Sequence, residues 1–336
     1  MRIAYLLADT ELSGGIRVIA AQSDALVARH HEVTLITTGA PLTWRRSRAH
    51  WLHVSRWPEF DASAFDFVIG TFWTTVRTAY ELAPDRAIHL SQGYEGSFTA
   101  YAGVKKEIDA VYRLPIPKLT VSPSLIETCR QFTEDVTCVG QIVDDEFFQP
   151  HHSHRGVARV LLSGQAQGDM KGIDLGYRAA RQARERGARF DLVRVSPWHP
   201  AEDEPAGLAS EFHVGIHTAA MARLLGSCDI FIGPNRHQEG FGLPAAEALA
   251  SGVPAVLTAI PSYLSWDTAR DYAIFAPEED AKAIGDGIAA LVADSELRDR
   301  LSTRGREVAE QFRAEKVGER LERYFTARLP RRRSGK

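Results

Sequence analysis

Two glutamates stand eight positions apart in HQEGFGLPAAEALASGVPAV, residues 237–256. Glu239 falls in a glycine-broken turn, and Glu247 lies about one turn into the helix that follows. Gly240 and Gly242 flank Phe241, and Pro244 follows Leu243 in the helix's first turn, where its missing N–H costs nothing. The pattern predicts that the backbone N–H groups of Gly240, Phe241, Gly242 and Leu243 face a ligand that both carboxylates reach. A carboxylate near a helix N-terminus is also simply stabilising, by roughly 0.3–1 kcal/mol. That bland reading covers Glu247 but not Glu239 beside two glycines.

Two further stretches pair glycine with charge or with a helix start. In LLSGQAQGDMKGIDLG a strand ends at Gly164-Gln165 and Lys171-Gly172 opens a helix. A cation at a helix N-terminus opposes the helix dipole unless an anion lies between them, and a diphosphate would resolve the mismatch. The alternative is an exposed lysine. In DTELSGGIRVIAAQ, Gly14 and Gly15 lie between the first strand and the first helix, where they let backbone amides approach an anion or serve as a packing turn. This stretch is no G-x-G-x-x-G fingerprint and no acidic ribose ligand follows it, which disfavours a nicotinamide domain.

The elements that must hold these residues read as parallel βαβ units. Apolar runs RIAYLLA, EVTLITT, FDFVIGT, RAIHLSQ, KLTVSPS and DVTCVGQ alternate with helical patterns, clearest at Ile16 to Arg29 and Ser124 to Phe132. A polar stretch at residues 143–156 reads as a linker. A second series follows: ARVLLSG, a helix from Ile173 to Arg186, FDLVRVS, a helix from Thr218 to Ser227, DIFIGPN, VPAVLT and YAIFAP, with helices from about Glu279 onward. The acidic loop at 199–211 is assigned no chemistry. The fold class is therefore α/β, with two Rossmann-like domains expected to face a cleft at the carboxyl ends of their strands, where open sheets bind ligands.

The 336 residues suit two such domains. With 44% hydrophobic and 25% charged residues the composition is that of a globular chain, and the net charge of -3 argues for no nucleic-acid partner. Cys129, Cys138 and Cys228 lack metal-ligand spacing and read as reduced core residues. His151, His152 and His154 read as a solvated hinge, since nothing nearby completes a coordination shell. No run approaches the ~18 apolar residues of a membrane span. The opening apolar run, followed by Asp9 and Glu11, reads as a buried strand and not as a signal peptide, so the expected location is cytoplasmic.

These stretches together resemble the retaining GT-B glycosyltransferases of family 4, the "glycosyl transferases group 1" family. The opening motif looks like that family's E-x7-E signature. The likeness extends to SGGIRV, LTVSPSLIE, VDDEFFQP, KGIDL and the block MARLLGSCDIFIGPNRHQEGFGLPAAEALASGVPAVLT, so it covers nearly the whole chain. The resemblance implies transfer of a sugar from a nucleoside-diphosphate sugar to an acceptor hydroxyl, with retention and without a metal or other cofactor. It implies that Glu239 meets the donor sugar, Glu247 the ribose, Lys171 the diphosphate, and Gly14 and Gly15 close over the donor. It also implies an acceptor domain at 1–148, a nucleotide-sugar domain at 149–311, a helix at about 312–328 crossing back, and a basic tail at 329–336.

Two positions depart from the family pattern. Gln165 stands where the family commonly has arginine; Arg159, Arg194 and Arg236 are the substitute cations in this half. Gln92 aligns where the family often has histidine; it donates a hydrogen bond but is no general base, and His89 lies inside its strand. In retaining enzymes the departing phosphate can take the acceptor's proton, so Gln92 stays a catalytic candidate, with Tyr94 and Glu95 beside it on the acceptor side. WRRSRAHWLHVSRW, residues 44–57, holds three of the six tryptophans. Trp44 and Arg45 are acceptor-side candidates, for sugar stacking, phosphate or a membrane interface. A strand with a flanking loop and a snorkelling basic face is the other reading. The expected acceptor is a glycan, a lipid-linked sugar or a small molecule, with peripheral contact at the inner membrane face left open by these residues and the basic tail. Two competing readings remain: a nucleotide-sugar-processing relative, such as an epimerase or phosphorylase, and a non-catalytic sugar-binding subunit.

Overall fold

A computed structural model describes residues 1–11, 13–149, 156–167, 169–199, 204–205 and 207–329. The histidines 151, 152 and 154, much of the acidic loop and the tail beyond 329 lie outside the described residues. The chain divides into two units, Met1–Ile142 together with the chain from Ala314 onward, and Val143–Arg313.

The first unit is built on β1 (Arg2–Leu7), α1 (Gly14–Ala28), β2 (Glu32–Thr37), β3 (His50–His53), β4 (Phe67–Gly70), α2 (Trp73–Leu82), β5 (Ala87–Ser91), α3 (Lys105–Tyr112), β6 (Lys118–Thr120), α4 (Ser124–Arg130) and β7 (Val136–Cys138). Its sheet runs β3-β2-β1-β4-β5-β6-β7 and every described pairing is parallel. Helices cover both faces of such a sheet, which is why β1 is apolar and buried along almost its whole length. Ser13 caps α1, its Oγ accepting the Ile16 amide at 3.3 Å.

The second unit holds β8 (Ala158–Ser163), α5 (Ile173–Glu185), β9 (Phe190–Ser196), β10 (Glu211–Val214), α6 (Thr218–Leu225), β11 (Ile230–Gly233), α7 (Leu243–Ala250), β12 (Ala255–Thr258), α8 (Pro261–Leu264), β13 (Ile274–Ala276), α9 (Ala281–Ala293) and α10 (Ser295–Ala309). Its parallel sheet runs β10-β9-β8-β11-β12-β13. The order reverses between β8 and β11, the switch point at which doubly wound sheets leave a crevice. Val160, Leu162, Ile230, Ile232 and Val256 from the strands meet Ile173, Ala180, Ile284 and Ile288 from α5 and α9 in one core.

The chain then returns to the first unit as α11 (Ala314–Arg328). Gly318 makes the close approach possible: a Cβ there would already sit 3.3 Å from that of Ala25 on α1. Glu322 takes the Arg29 Nε–H at 2.8 Å and pairs with His31 at 3.1 Å, and Phe325 packs on Phe67 with ring centroids 5.0 Å apart. Two parallel α/β units are what the alternation of apolar runs predicts. β10 is an addition, since no strand is legible at Glu211–Val214.

Candidate functional site

Glycines set the positions of the charged residues. Gly172, the cap of α5, has φ 57°, and a Cβ there would lie 2.0 Å from the Pro234 carbonyl oxygen, so backbone meets backbone at the end of β11. Gly242, the cap of α7, has φ 89° and a Cβ there would fall 2.2 Å from the Tyr263 ring. These two contacts bring the Lys171 loop and the Glu239 turn to the switch point. Gly164, at the end of β8, leaves room for the Lys171 stem, whose Cβ would be 3.3 Å from a side chain there.

Lys171 Nζ lies 2.5 Å from Glu239 Oε2, and Asn235 Nδ2 donates to the same oxygen at 2.6 Å. The Gly242 amide donates to Oε1 at 3.1 Å, and the Phe241 amide also bonds the carboxylate. Burial alone would push the Glu239 carboxyl up; the Lys171 charge and these four donors outweigh it and hold it below its ordinary value. The lysine at a helix start thus has its anion in this state, and the anion is Glu239. Two of the four amides expected to face a ligand are turned onto Glu239 instead. Phe241 itself is core, its ring 5.0 Å from Phe312 and 5.4 Å from Trp266.

Glu247 is buried on α7, five residues beyond the Gly242 cap. The helix dipole acts within the first turn, so the bland stabilising account of Glu247 loses most of its force. Gln165 is half-buried beside Gly164. Of the substitute cations, Arg159 is held by Glu211 at 3.0 Å and Arg194 is buried against Glu204 at 3.1 Å. Arg236 stands nearer: its amide bonds the Met170 carbonyl at 2.9 Å, while its guanidinium pairs with Glu279 and with Asp174 of α5. Sequence reasoning missed Asn235 and Tyr263. An amide side chain just past a strand end, after Pro234, was the available signal for the first; nothing local marks the second.

In the first unit Gly15 faces Gln92, whose Oε1 would lie 3.4 Å from a Cβ on Gly15 and is buried with no hydrogen-bond partner among the described residues. A Cβ at Gly14 would meet only open space. Lys105 Nζ donates to the Tyr94 hydroxyl at 2.9 Å, and that hydroxyl donates to Asp109. Glu95 points inward: the Tyr112 hydroxyl donates to it at 2.6 Å, and burial raises its pKa despite that bond. His89 is packed in β5 against Tyr112, its pKa pushed well down by burial and then by the Lys118 charge. The Trp44 indole N–H donates to the Thr10 carbonyl at 2.9 Å. Asp24 gathers Arg45 at 3.4 Å, the Ser47 hydroxyl at 2.8 Å and the Arg48 amide at 2.6 Å. Trp44 and Arg45 therefore have structural partners, whereas the Arg46 and Arg48 side chains are exposed.

Among the described residues no cluster of three or more His, Cys, Asp or Glu side chains is placed to hold a metal ion, and no helix is long and apolar enough to cross a membrane.

The model of the family described as "Glycosyl transferases group 1" matches residues 144–308. An MMP alpha-(1->4)-mannosyltransferase from Mycolicibacterium hassiacum is 35% identical over 120 residues, which are 34% of this chain and 29% of that protein. A phosphatidyl-myo-inositol mannosyltransferase from Mycobacterium leprae is 26% identical over 110 residues, 33% of this chain and 29% of that protein. The chain thus matches under a third of the length of these relatives. The structure of sucrose-phosphate synthase from Thermosynechococcus elongatus superposes with a TM-score of 0.76 at 15% identity, over 97% of this chain and 98% of that one. Residues 144–308 accordingly match the glycosyl transferases group 1 family model, in a chain with the two-sheet GT-B fold.

Proposed function

We propose that the chain is a retaining glycosyltransferase that takes a hexose from a nucleoside-diphosphate sugar. One observation carries this reading: a single carboxylate and a single lysine are assembled by two glycine-gated turns at the switch point of the second sheet. Glu239 offers a buried, ionised acceptor for sugar hydroxyls, and Lys171 offers a mobile cation for a diphosphate. When a donor enters, Lys171 leaves Glu239 for the phosphates, and Asn235 with the Phe241 and Gly242 amides keeps the carboxylate ionised.

The bond from the anomeric carbon to the β-phosphate oxygen then breaks, and Lys171 offsets the charge growing on the leaving diphosphate. The acceptor oxygen attacks on the same face and its proton passes to a phosphate oxygen, so no protein base is required. No divalent metal enters this scheme, since Lys171 supplies the counter-charge. Glu247 is assigned to the ribose, Gln165 and the Gly240 and Leu243 amides to donor binding, Gly14 and Gly15 likewise to the donor, and Gln92 to the reacting sugar. Both mannosyltransferase relatives make mannose the first donor sugar to try. The name of the second supports a lipid-linked acceptor, which would bring the exposed Arg46 and Arg48 near an anionic surface.

The test is a panel of mannosyl and glucosyl esters of UDP, GDP and ADP. A donor at a hundred times its Kd adds about 2.7 kcal/mol to stability, and the product anomer read by NMR decides retention. The reading fails if no donor stabilises the protein or is turned over. Gln165, in the place of an expected arginine, favours one alternative, a sugar-binding subunit without turnover. That alternative predicts donor stabilisation with no product.

A further inference from the structure

Arg236 joins the two segments that carry the charged pair. Its amide donates to the Met170 carbonyl at 2.9 Å, one residue before Lys171, and its own carbonyl accepts the Glu239 amide at 2.9 Å. The lysine loop and the carboxylate turn are thus linked through the backbone of a single residue. Its side chain repeats the link. Nη2 lies 3.2 Å from Asp174, three residues beyond Lys171 in the first turn of α5. Nε and Nη2 both donate to Glu279, on the chain between β13 and α9. His237 is held in the same manner, its amide and its Nδ1 each 2.9 Å from Glu278 Oε1. Two consecutive residues at the start of the Glu239 turn are therefore gripped by two consecutive acids.

Stability does not account for this arrangement. The Asp174 and Glu279 side chains are 59% and 51% exposed, and ion pairs so exposed contribute little. The guanidinium that they hold is only 16% exposed. Glu279 has φ 64°, in the left-handed region that a non-glycine residue keeps only where its surroundings impose it. Arg178 completes the network, 3.3 Å from Asp174 and 3.8 Å from Glu279. Two acids then meet two guanidiniums, which leaves no net charge there to draw an anion. A guanidinium committed in this way fixes geometry.

The Gly172–Pro234 contact sets where the two segments leave their elements, and Arg236 sets the turn that follows, three residues ahead of Glu239. Lys171 and Glu239 tie the segments directly only while they are paired with each other. In the function proposed above, a donor draws Lys171 to its phosphates, so that tie opens when both groups must stay in register. We propose that Arg236 is the positioning residue that keeps the Glu239 turn seated on the Lys171 loop once the lysine has left. It works through Glu279 and Asp174 and touches no substrate. This inference rests on the nucleotide-sugar reading.

Four proteins test it: wild type, Arg236→Gln, Glu279→Gln and the double variant. Each is measured by steady-state kinetics with the best nucleoside-diphosphate sugar, by calorimetry with inorganic pyrophosphate and by thermal melts. Misplacing a reacting group by about 1 Å can cost about a hundredfold. Arg236→Gln should therefore lower kcat about ten- to a hundredfold while pyrophosphate affinity stays at the wild-type value. Glu279→Gln should lower kcat in the same direction, and the double variant should be no worse than Arg236→Gln, because all three break one clasp. A cation held ready for the diphosphate predicts the reverse sign: Glu279→Gln would free the guanidinium and tighten pyrophosphate, and Arg236→Gln would weaken it. Either change in pyrophosphate affinity, or an unchanged kcat in Arg236→Gln, overturns the positioning role while the nucleotide-sugar reading stands. If the wild type turns over no donor, both readings fail together. Glu279 is half-exposed, so Glu279→Gln should keep the wild-type Tm, and its kcat decides the matter where Arg236→Gln does not fold.

Discussion

Lys171 and Glu239 neutralise each other 2.5 Å apart, although they sit on different turns and reach the site from different strand ends. Glu239 is nine-tenths covered and already has four donors, against about four lone-pair sites on a carboxylate. Under the proposed function a donor sugar would bind by exchange: hydroxyls would replace the ammonium and phosphates would receive it. Lys171→Met should lower kcat by about a hundred- to a thousandfold, as loss of a preorganised charge at a leaving group does. The same variant should raise the Glu239 pKa, which a pH titration of binding detects. Unchanged turnover in Lys171→Met would remove the lysine from the chemistry.

Gly172→Ala should be far more damaging than its size suggests. The added Cβ needs both a positive φ and space that the Pro234 carbonyl occupies at 2.0 Å, and neither backbone can yield without moving β11 or α5. We expect a loss of about 2–4 kcal/mol by urea unfolding. At Gly242 the obstacle is the Tyr263 ring, so Gly242→Ala with Tyr263→Ala should recover part of the steric loss but none of the strain from φ 89°. Full recovery in the double variant would mean that sterics alone fix that turn.

Stability should fall toward acid and rise with pH on the alkaline side, each time through a buried group whose folded pKa is depressed. Glu239 has its folded pKa depressed, so its contribution is complete above the ordinary carboxyl value of 4.5 and is lost as pH falls through the folded value. His89 is also depressed, by burial first and the Lys118 charge second. Below about 6.5 the unfolded chain takes up a proton that the folded chain resists, and stability declines further toward acid. Lys118 is pushed down to about 8 by burial, partly countered by Cys129 and Asp135. Between that value and 10.5 the unfolded state binds more protons, so stability rises with pH in that window. Lys118→Met should stabilise the protein at pH 7 by on the order of 2–3 kcal/mol, provided that the aliphatic stem keeps its packing. Denaturant melts at pH 3.5, 5, 7 and 9 read all three effects.

How much was legible follows from how each residue is held. The alternating apolar runs disclose two parallel sheets because a strand covered on both faces must be apolar along its length, as β1 is. β10 escapes because an edge strand half-exposed at all four residues, Glu211 to Val214, carries no such run. The E-x7-E motif and the lysine before α5 stood out as local rules broken, and their meeting needed the Gly172–Pro234 contact, which spans 62 positions and leaves no local trace. Glu95 shows the converse. A carboxylate in a Gly-rich loop beside a candidate site read as functional, yet Tyr112 on α3 draws it inward. Arg194 likewise looked like a spare cation until Glu204 covered it.

Gln165 offers the sharpest test of what this site lacks. It follows Gly164, where the backbone already passes beside the Lys171 stem, so an arginine at this position would place a second cation near the same anion. Without ligand, that cation would face Lys171 with only Glu239 between them, and repulsion should cost about 1 kcal/mol of stability. With a diphosphate bound, the added bidentate contact should repay more than that, because a charge-assisted hydrogen bond contributes about 1.5–3 kcal/mol. Gln165→Arg should therefore lower Tm without ligand and tighten pyrophosphate binding by about tenfold, measured by calorimetry at fixed ionic strength. If Tm falls and affinity does not rise, residue 165 points away from the anion, and the cation missing from the family pattern must be supplied by Arg236, which would first have to leave Asp174 and Glu279.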